Sequence, residues 1–455
     1  MSEFLAIAAE WRPLLATIAG VAALLLMILV RKVNAFAALL VAALGTGLAA
    51  GLAPSAVIQS ITTGMGGVLG FIAVIVGLGA LLGGYLEASG GAAALARAIV
   101  GGRDAGKTSV AMGVVGIVIA IPVFFDVALI LLFPLVASLS RSAGKPALYF
   151  GLPLLAGLAT AHSFIPPTPG PVAVAEILSA ELGLVIVYGL AAGVPAMLVA
   201  GPLFTAVLTR SNALPVGQPV LTPAPSGPGV RFDGELGLRA LAAIALPIGL
   251  IVIAAIAASL GWTGVAADTL AFIGHPFVAL LLACGLAALI LAPGDAAARE
   301  RLSDTLARAL EPTAVILLVT GAGGAFKQML VDTGAGAMLA ESLLGFGLGP
   351  LVGGFLLALV IRIAQGSATV AMLTAAGLTA PLAGAAGLQP FELALMTIAI
   401  ASGATMASHV NDSGFWLVSR YFGLTSAETL RTWTVSSTLI GLTGFATVLL
   451  LALFV

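Results

Sequence analysis

Four short stretches place side chains capable of chemistry inside otherwise apolar runs. His162-Ser163-Phe164-Ile165-Pro166-Pro167-Thr168-Pro169-Gly170-Pro171 is the first, and His409-Val410-Asn411-Asp412-Ser413-Gly414 is its counterpart late in the chain. Asp126 closes Pro122-Val-Phe-Phe-Asp126, and the fourth stretch runs Arg362-Ile-Ala-Gln365-Gly366-Ser367-Ala368-Thr369. A carboxylate amid apolar residues is costly to ionise unless paired, wetted or protonated, so Asp126 and Asp412 are candidates to exchange a proton. Imidazole titrates near neutrality, which adds His162 to that group. A guanidinium matches carboxylate in shape and charge, and Ser163, Thr168, Gln365, Ser367, Thr369, His409, Asn411 and Ser413 offer hydrogen bonds suited to hydroxyls.

Each assignment has a plain structural rival. Asp126, Asn411 or Asp412 could cap a helix, either histidine could be a satisfied donor, and Arg362 could snorkel to an interface. Arg362, Gln365 and Thr369 are spaced i, i+3, i+7, which on a continuous helix puts all three on one face. Four prolines between 166 and 171 remove backbone donors and force an extended segment, predicting a new half-helix near Val172 whose free N–H groups favour an anion.

The elements that carry these stretches are long and apolar. Leu14 to Val30, Ala35 to Leu52, Gly67 to Leu86, Leu241 to Leu260 and Phe277 to Ala292 are uncharged and close to the roughly 20 residues that cross a bilayer as helix. The chain is 60% hydrophobic and 8% charged with mean hydropathy +1.19, whereas a soluble domain carries roughly a quarter charged residues. The reading is an all-α, multi-pass membrane protein whose first span is retained helix rather than a cleaved leader. Polar breaks at membrane depth are tolerated only where protein or a wet cavity satisfies the backbone, so the four stretches mark a binding site.

A Pro- and Gly-rich segment, 210–239, divides the chain into a first repeat over 1–209 and a second over 240–455. Gly77-Leu-Gly-Ala80, Leu86, Ser89-Gly90 and Leu95-Ala96 match Gly321-Ala-Gly-Gly324, Leu330, Thr333-Gly334 and Leu339-Ala340 at one constant offset, and the two histidines fall within three residues of it. Each half reads as three spans, a long stretch with a polar centre (107–141 and 350–384), a broken span (146–177 and 391–422) and a final span. Five crossings per half would set the repeats in opposite orientation, as in many secondary transporters. Ten spanning helices plus two hairpins, or twelve helices, fit equally. Lys and Arg collect in alternate loops, which by the positive-inside rule puts both termini outside the cytoplasm.

Several function classes are excluded. A net charge of -1 without a basic stripe leaves no footprint for nucleic acid. The lone Cys284 permits neither an internal disulfide nor a cysteine-ligated metal, and no metal or cofactor is expected. No Walker loop, GxSxG, HExxH or CxxC pattern occurs, which disfavours ATP-driven transport by this chain alone.

HSFIPPTPGPVAVA, GAGGAFKQMLVDTG, RIAQGSATVAMLTAAG and SHVNDSGFWLVSRYF resemble, in this order, motifs of the gluconate permease family of sugar-acid:proton symporters. The resemblance runs from about Gly67 to the C-terminus. It implies membership of a larger ion-transporter superfamily, with inverted repeats each holding a re-entrant hairpin and a broken helix, a homodimer in the bacterial cytoplasmic membrane, and elevator-type movement. It also implies proton-coupled import of gluconate or a related small hydroxy acid. Sodium coupling and D-serine or glycerate as substrate stay open, and so does a membrane-embedded enzyme using His162 or His409 with Asp126 or Asp412.

Overall fold

The computed structural model describes residues 2–101, 104–216, 234–292, 296–311, 313–334, 349–410 and 412–454. Among them the chain is almost wholly helical and contains no strand. Nine helices among the described residues are long and apolar enough to cross a membrane, or ten if the Val265–Ile273 and Pro276–Ile290 pair, bent by 64°, counts as one span. The expectation of an all-α multi-spanning protein holds. Most of the 210–239 linker, residues 217–233, and the motif tail at Leu339-Ala340 lie outside the described residues.

Prolines and glycines punctuate the helices. Pro54, Pro169, Pro276, Pro350 and Pro390 stand in the first turn, where a missing N–H costs nothing. The 107–141 stretch is a helix pair, Ala105–Ala120 and Phe125–Ala143, joined at 121–124. The 350–384 stretch is a second pair, Pro350–Gln365 and Ala368–Ala385, joined by Gly366 and Ser367. Both broken spans are helix, gap, helix: Ala147–Phe164 then Pro169–Leu178, and Pro390–Thr405 then Ser413–Phe422. Helices of 16 residues, such as Ala105–Ala120, Pro350–Gln365 and Pro390–Thr405, reach about 24 Å and stop short of a roughly 30 Å hydrocarbon core.

One feature departs from the layout read in the sequence. The basic segment after Phe277–Ala292 is a polar helix, Ala296–Ala309, rather than a loop. Asp332 ends Thr313–Asp332 and accepts from Ser60 Oγ at 2.6 Å and Gln328 Nε2 at 2.8 Å, which ties that helix to Pro54–Ala88.

Without a hydrophobic drive between helices in lipid, close van der Waals approach holds a bundle together, and small residues permit it. Gly64 and Gly324 face each other where Pro54–Ala88 crosses Thr313–Asp332; a Cβ on Gly64 would sit 2.5 Å from Gly324 O, and one on Gly324 2.6 Å from Gly64 O. Gly116 does the same between Ala105–Ala120 and the first broken helix, where a Cβ would lie 2.7 Å from Leu158 N. The Gly116 contact seats the first helix pair against the first broken span. Gly64→Leu should therefore cost about 1–3 kcal/mol by overpacking and lower the detergent melting temperature by several degrees. Gly70, whose Cβ would meet nothing within 4 Å, is the control: Gly70→Leu should melt like the native protein.

Candidate functional site

The four polar junctions converge on one cavity of about 210 Å³. The junction at 121–124 presents Phe125 and Asp126; the first gap presents His162 and Ser163. The second pair contributes Arg362, Ser367, Ala368 and Thr369, and the second gap contributes Thr405, Asp412, Ser413 and Gly414. Trp433, from the helix that follows, closes the wall. Three helices, Phe125–Ala143, Ala368–Ala385 and Ser413–Phe422, thus point their N-terminal turns into the cavity, where unpaired N–H groups and the positive dipole end favour an anion.

Arg362 is the hub. It is 3% exposed, and three of its five N–H donors are committed: Nε to Met406 O at 3.3 Å, Nη1 to Gly366 O, and Nη2 to Asp412 Oδ2 at 2.5 Å. The first two partners are a carbonyl at the edge of the second gap and the carbonyl of the second junction. Arg362 therefore braces both breaks, and its two remaining donors are left for the cavity it lines. This position is buried, so the snorkelling alternative does not apply.

Asp412 does two jobs at once. Its Oδ1 accepts from Gly414 N at 3.0 Å, capping Ser413–Phe422. Its Oδ2 takes Arg362 and the Ser408 hydroxyl at 2.5 Å. Ser408 in turn accepts from Trp433 Nε1 at 2.7 Å, and Trp433 stacks at 5.6 Å on Phe125 of the first junction. The extended backbone of the second gap is satisfied by side chains of the last span: Ser408 N donates to Ser437 Oγ at 3.1 Å, Ala407 N to Thr438 Oγ1 at 3.3 Å, and Thr434 Oγ1 to Ser408 O. Ser408, Trp433, Thr434, Ser437 and Thr438 were not singled out in the sequence. The available signal was the polar run Thr432-Trp-Thr-Val-Ser-Ser-Thr438 at the head of an apolar span.

Asp126 lies in the first turn of its helix, exposed to the cavity, and no described Lys or Arg forms an ion pair with it. His162 sits in the last turn of Ala147–Phe164 with Nδ1 buried and unpartnered, its ring 6.3 Å from Phe124. Ser163 is buried on the same wall.

Three candidates fall elsewhere. Thr168 faces a smaller adjoining space and donates its hydroxyl to Ile165 O at 2.6 Å, closing the end of the first half-helix. His409 folds back so that Nδ1 lies 2.9 Å from Ala407 O and does not line the cavity. Gln365 shares the helix Pro350–Gln365 with Arg362 and still stays outside the lining; the helix ends after it, where Gly366 takes a left-handed φ of 82°, so the i, i+3, i+7 face does not continue to Thr369. Thr369 reaches the cavity from the next helix instead. Asn411 lies outside the described residues.

An ion pair this enclosed makes a sharp prediction. Asp412→Ala leaves a buried guanidinium unpaired and should cost about 3–5 kcal/mol, read as a large fall in detergent melting temperature. Asp412→Ala combined with Arg362→Met should recover part of that loss; a single variant that melts like the native protein would contradict the pairing.

Comparison with known proteins places this geometry. The GntP family permease model matches residues 12–454. The low-affinity gluconate transporter of Escherichia coli (strain K12) is 38% identical over 432 residues, covering 94% of this chain and 96% of the relative. The Gnt-II system L-idonate transporter of the same strain is 38% identical, covering 96% and 98%. The gluconate permease of Bacillus subtilis (strain 168) is 37% identical, covering 97% and 100%. The crystal structure of the Alcanivorax borkumensis YdaH transporter shares the fold at TM-score 0.68 and 15% identity, over 92% of this chain and 98% of that one. The chain belongs to the GntP permease family: it is a multi-spanning membrane transporter, not an enzyme.

Proposed function

We propose that this transporter imports gluconate or a closely related small hydroxy acid together with a proton, and that the cavity around Arg362 is where both bind. The observation that carries the reading is the charge set of the cavity. Arg362 is already matched by Asp412, while Asp126 has no described cation partner, so the cavity with both acids ionised is net negative apart from the helix dipoles. An anion entering beside Asp126 is bound more tightly when that acid carries a proton. Substrate and proton then favour one another, and the loaded site carries the same charge as the empty one. That equality is what a site moving through a low-dielectric membrane requires.

In this reading the free donors of Arg362 and the N-termini at Thr369 and Ser413 hold the carboxylate, while Ser163, Ser367, Thr369, Ser413 and His162 meet hydroxyls. Similarity to gluconate and L-idonate transporters supports a polyhydroxy acid. Support for inward-facing basic segments comes from Arg31, Lys32, Arg97, Lys107, Arg141, Lys145, Arg210, Arg239, Arg299, Arg301, Arg308, Arg420 and Arg431, with both termini outside the cytoplasmic membrane. Arg12 and Lys327 are exceptions on the outer side: Arg12 Nε donates to Ala49 O at 2.8 Å and Lys327 Nζ to Ser179 Oγ at 3.4 Å. Elevator movement and a homodimer belong to the same reading by family resemblance.

Purified protein in liposomes tests it. A single proton travelling with a monoanion moves no net charge, so labelled gluconate should accumulate about tenfold per unit of inward pH gradient and ignore an imposed potential. Uptake driven by sodium and indifferent to pH would overturn the coupling, and competition by D-serine but not by gluconate or idonate would overturn the substrate. Asp126→Asn should retain gluconate exchange across the membrane and lose pH-driven accumulation; Arg362→Ala should lose both.

A further inference from the structure

A second cavity, of about 230 Å³, lies on the far side of the first junction from the substrate cavity. Pro122, Val123 and Phe124 form its near wall, Glu87 closes the end of Pro54–Ala88, and Thr305 and Arg308 reach in from the polar helix Ala296–Ala309. Glu87 is the one charged residue in the whole 54–88 helix. Its charge and that of Arg308 attract across the space without ion-pair contact among the described residues, so the guanidinium has room for another anion.

The two cavities are joined in series. Between them is a space of about 10 Å³, room for one water at most, which shares His162 with the first cavity and Pro122, Val123 and Phe124 with the second. The partition is therefore the Phe124 ring against the His162 ring, backed by the bare face of Gly79, Ala80 and Gly83. The junction rests directly on that face: a Cβ on Gly83 would run into Pro122 O. Similar volumes on both sides would hold the same small molecule, and a weak second site helps a substrate leave the first.

Resting on the proposed substrate class, we propose that this cavity is a second, weaker carboxylate site, a vestibule on the basic-loop side in which Arg308 receives the acid after it passes Phe124. The test uses full-length protein with Cys284, buried and the sole native thiol, replaced by Ala, and Thr305→Cys added. A negatively charged thiosulfonate should label position 305, and saturating gluconate should slow that labelling at least threefold. Arg308→Gln should raise the KM for gluconate efflux about five- to tenfold and leave the equilibrium affinity for gluconate unchanged, with Arg308→Lys restoring efflux. Labelling untouched by gluconate, or efflux unaffected by Arg308→Gln in protein that still binds gluconate, overturns the vestibule. Should Arg308→Gln fail to fold, protection at 305 decides alone. Gluconate that neither binds nor is transported by the native protein would instead defeat the substrate assignment, a distinct outcome.

Discussion

The architecture around the cavity depends on satisfying backbone that has left its helices inside an apolar bundle, and Arg362 does most of this. One guanidinium, excluded from water, donates to carbonyls at the second junction and at the edge of the second gap while holding the Asp412 carboxylate. Each of these acceptors would be expensive to bury alone. Together they fix the relative placement of Pro350–Gln365, Ala368–Ala385 and Ser413–Phe422, and so the direction in which two N-terminal turns point. A charge that would ordinarily be a liability in hydrocarbon thereby becomes the element that shapes the site.

From that hub a chain of contacts crosses to the first half. Asp412 takes the Ser408 hydroxyl, Ser408 takes the Trp433 indole, and Trp433 stacks on Phe125 beside Asp126. The proposed proton carrier thus sits at one end of a connected network whose other end is the proposed carboxylate-binding Arg362. The halves contribute unequally. The first gap is rigid, proline-rich and almost fully buried, with its own Thr168 closing the helix end, whereas the second is held open by hydroxyls borrowed from the last span. In the proposed function, substrate charge is met mainly by the second half and proton exchange by the first.

Much of this was legible in the sequence because polar residues are so rare in the apolar runs: Asp126, His162, Arg362 and Asp412 stood out by type alone, and the four stretches holding them meet at one cavity. What was not legible depends on phase and on borrowed contacts. The spacing of Arg362, Gln365 and Thr369 assumes one continuous helix, yet the left-handed turn at Gly366 puts Thr369 on the next helix, and it is Thr369 rather than Gln365 that lines the cavity. Thr168 and His409 satisfy carbonyls a few residues away, a local demand that composition cannot distinguish from a substrate hydroxyl. Thr434, Ser437 and Thr438 look like ordinary helical hydroxyls, and their second role appears only when the gap at 406–412 is laid against them.

The central claim is that the acid substrate and a proton bind as a pair at this cavity. Titrating gluconate into weakly buffered, detergent-solubilised protein and following the pH measures that directly. Near neutral pH the native protein should take up as much as one proton per gluconate bound, and Asp126→Asn none while still binding the acid. Gluconate binding by the native protein with no proton taken up at any pH between about 5 and 8, the range over which folded proteins are ordinarily stable, would contradict it.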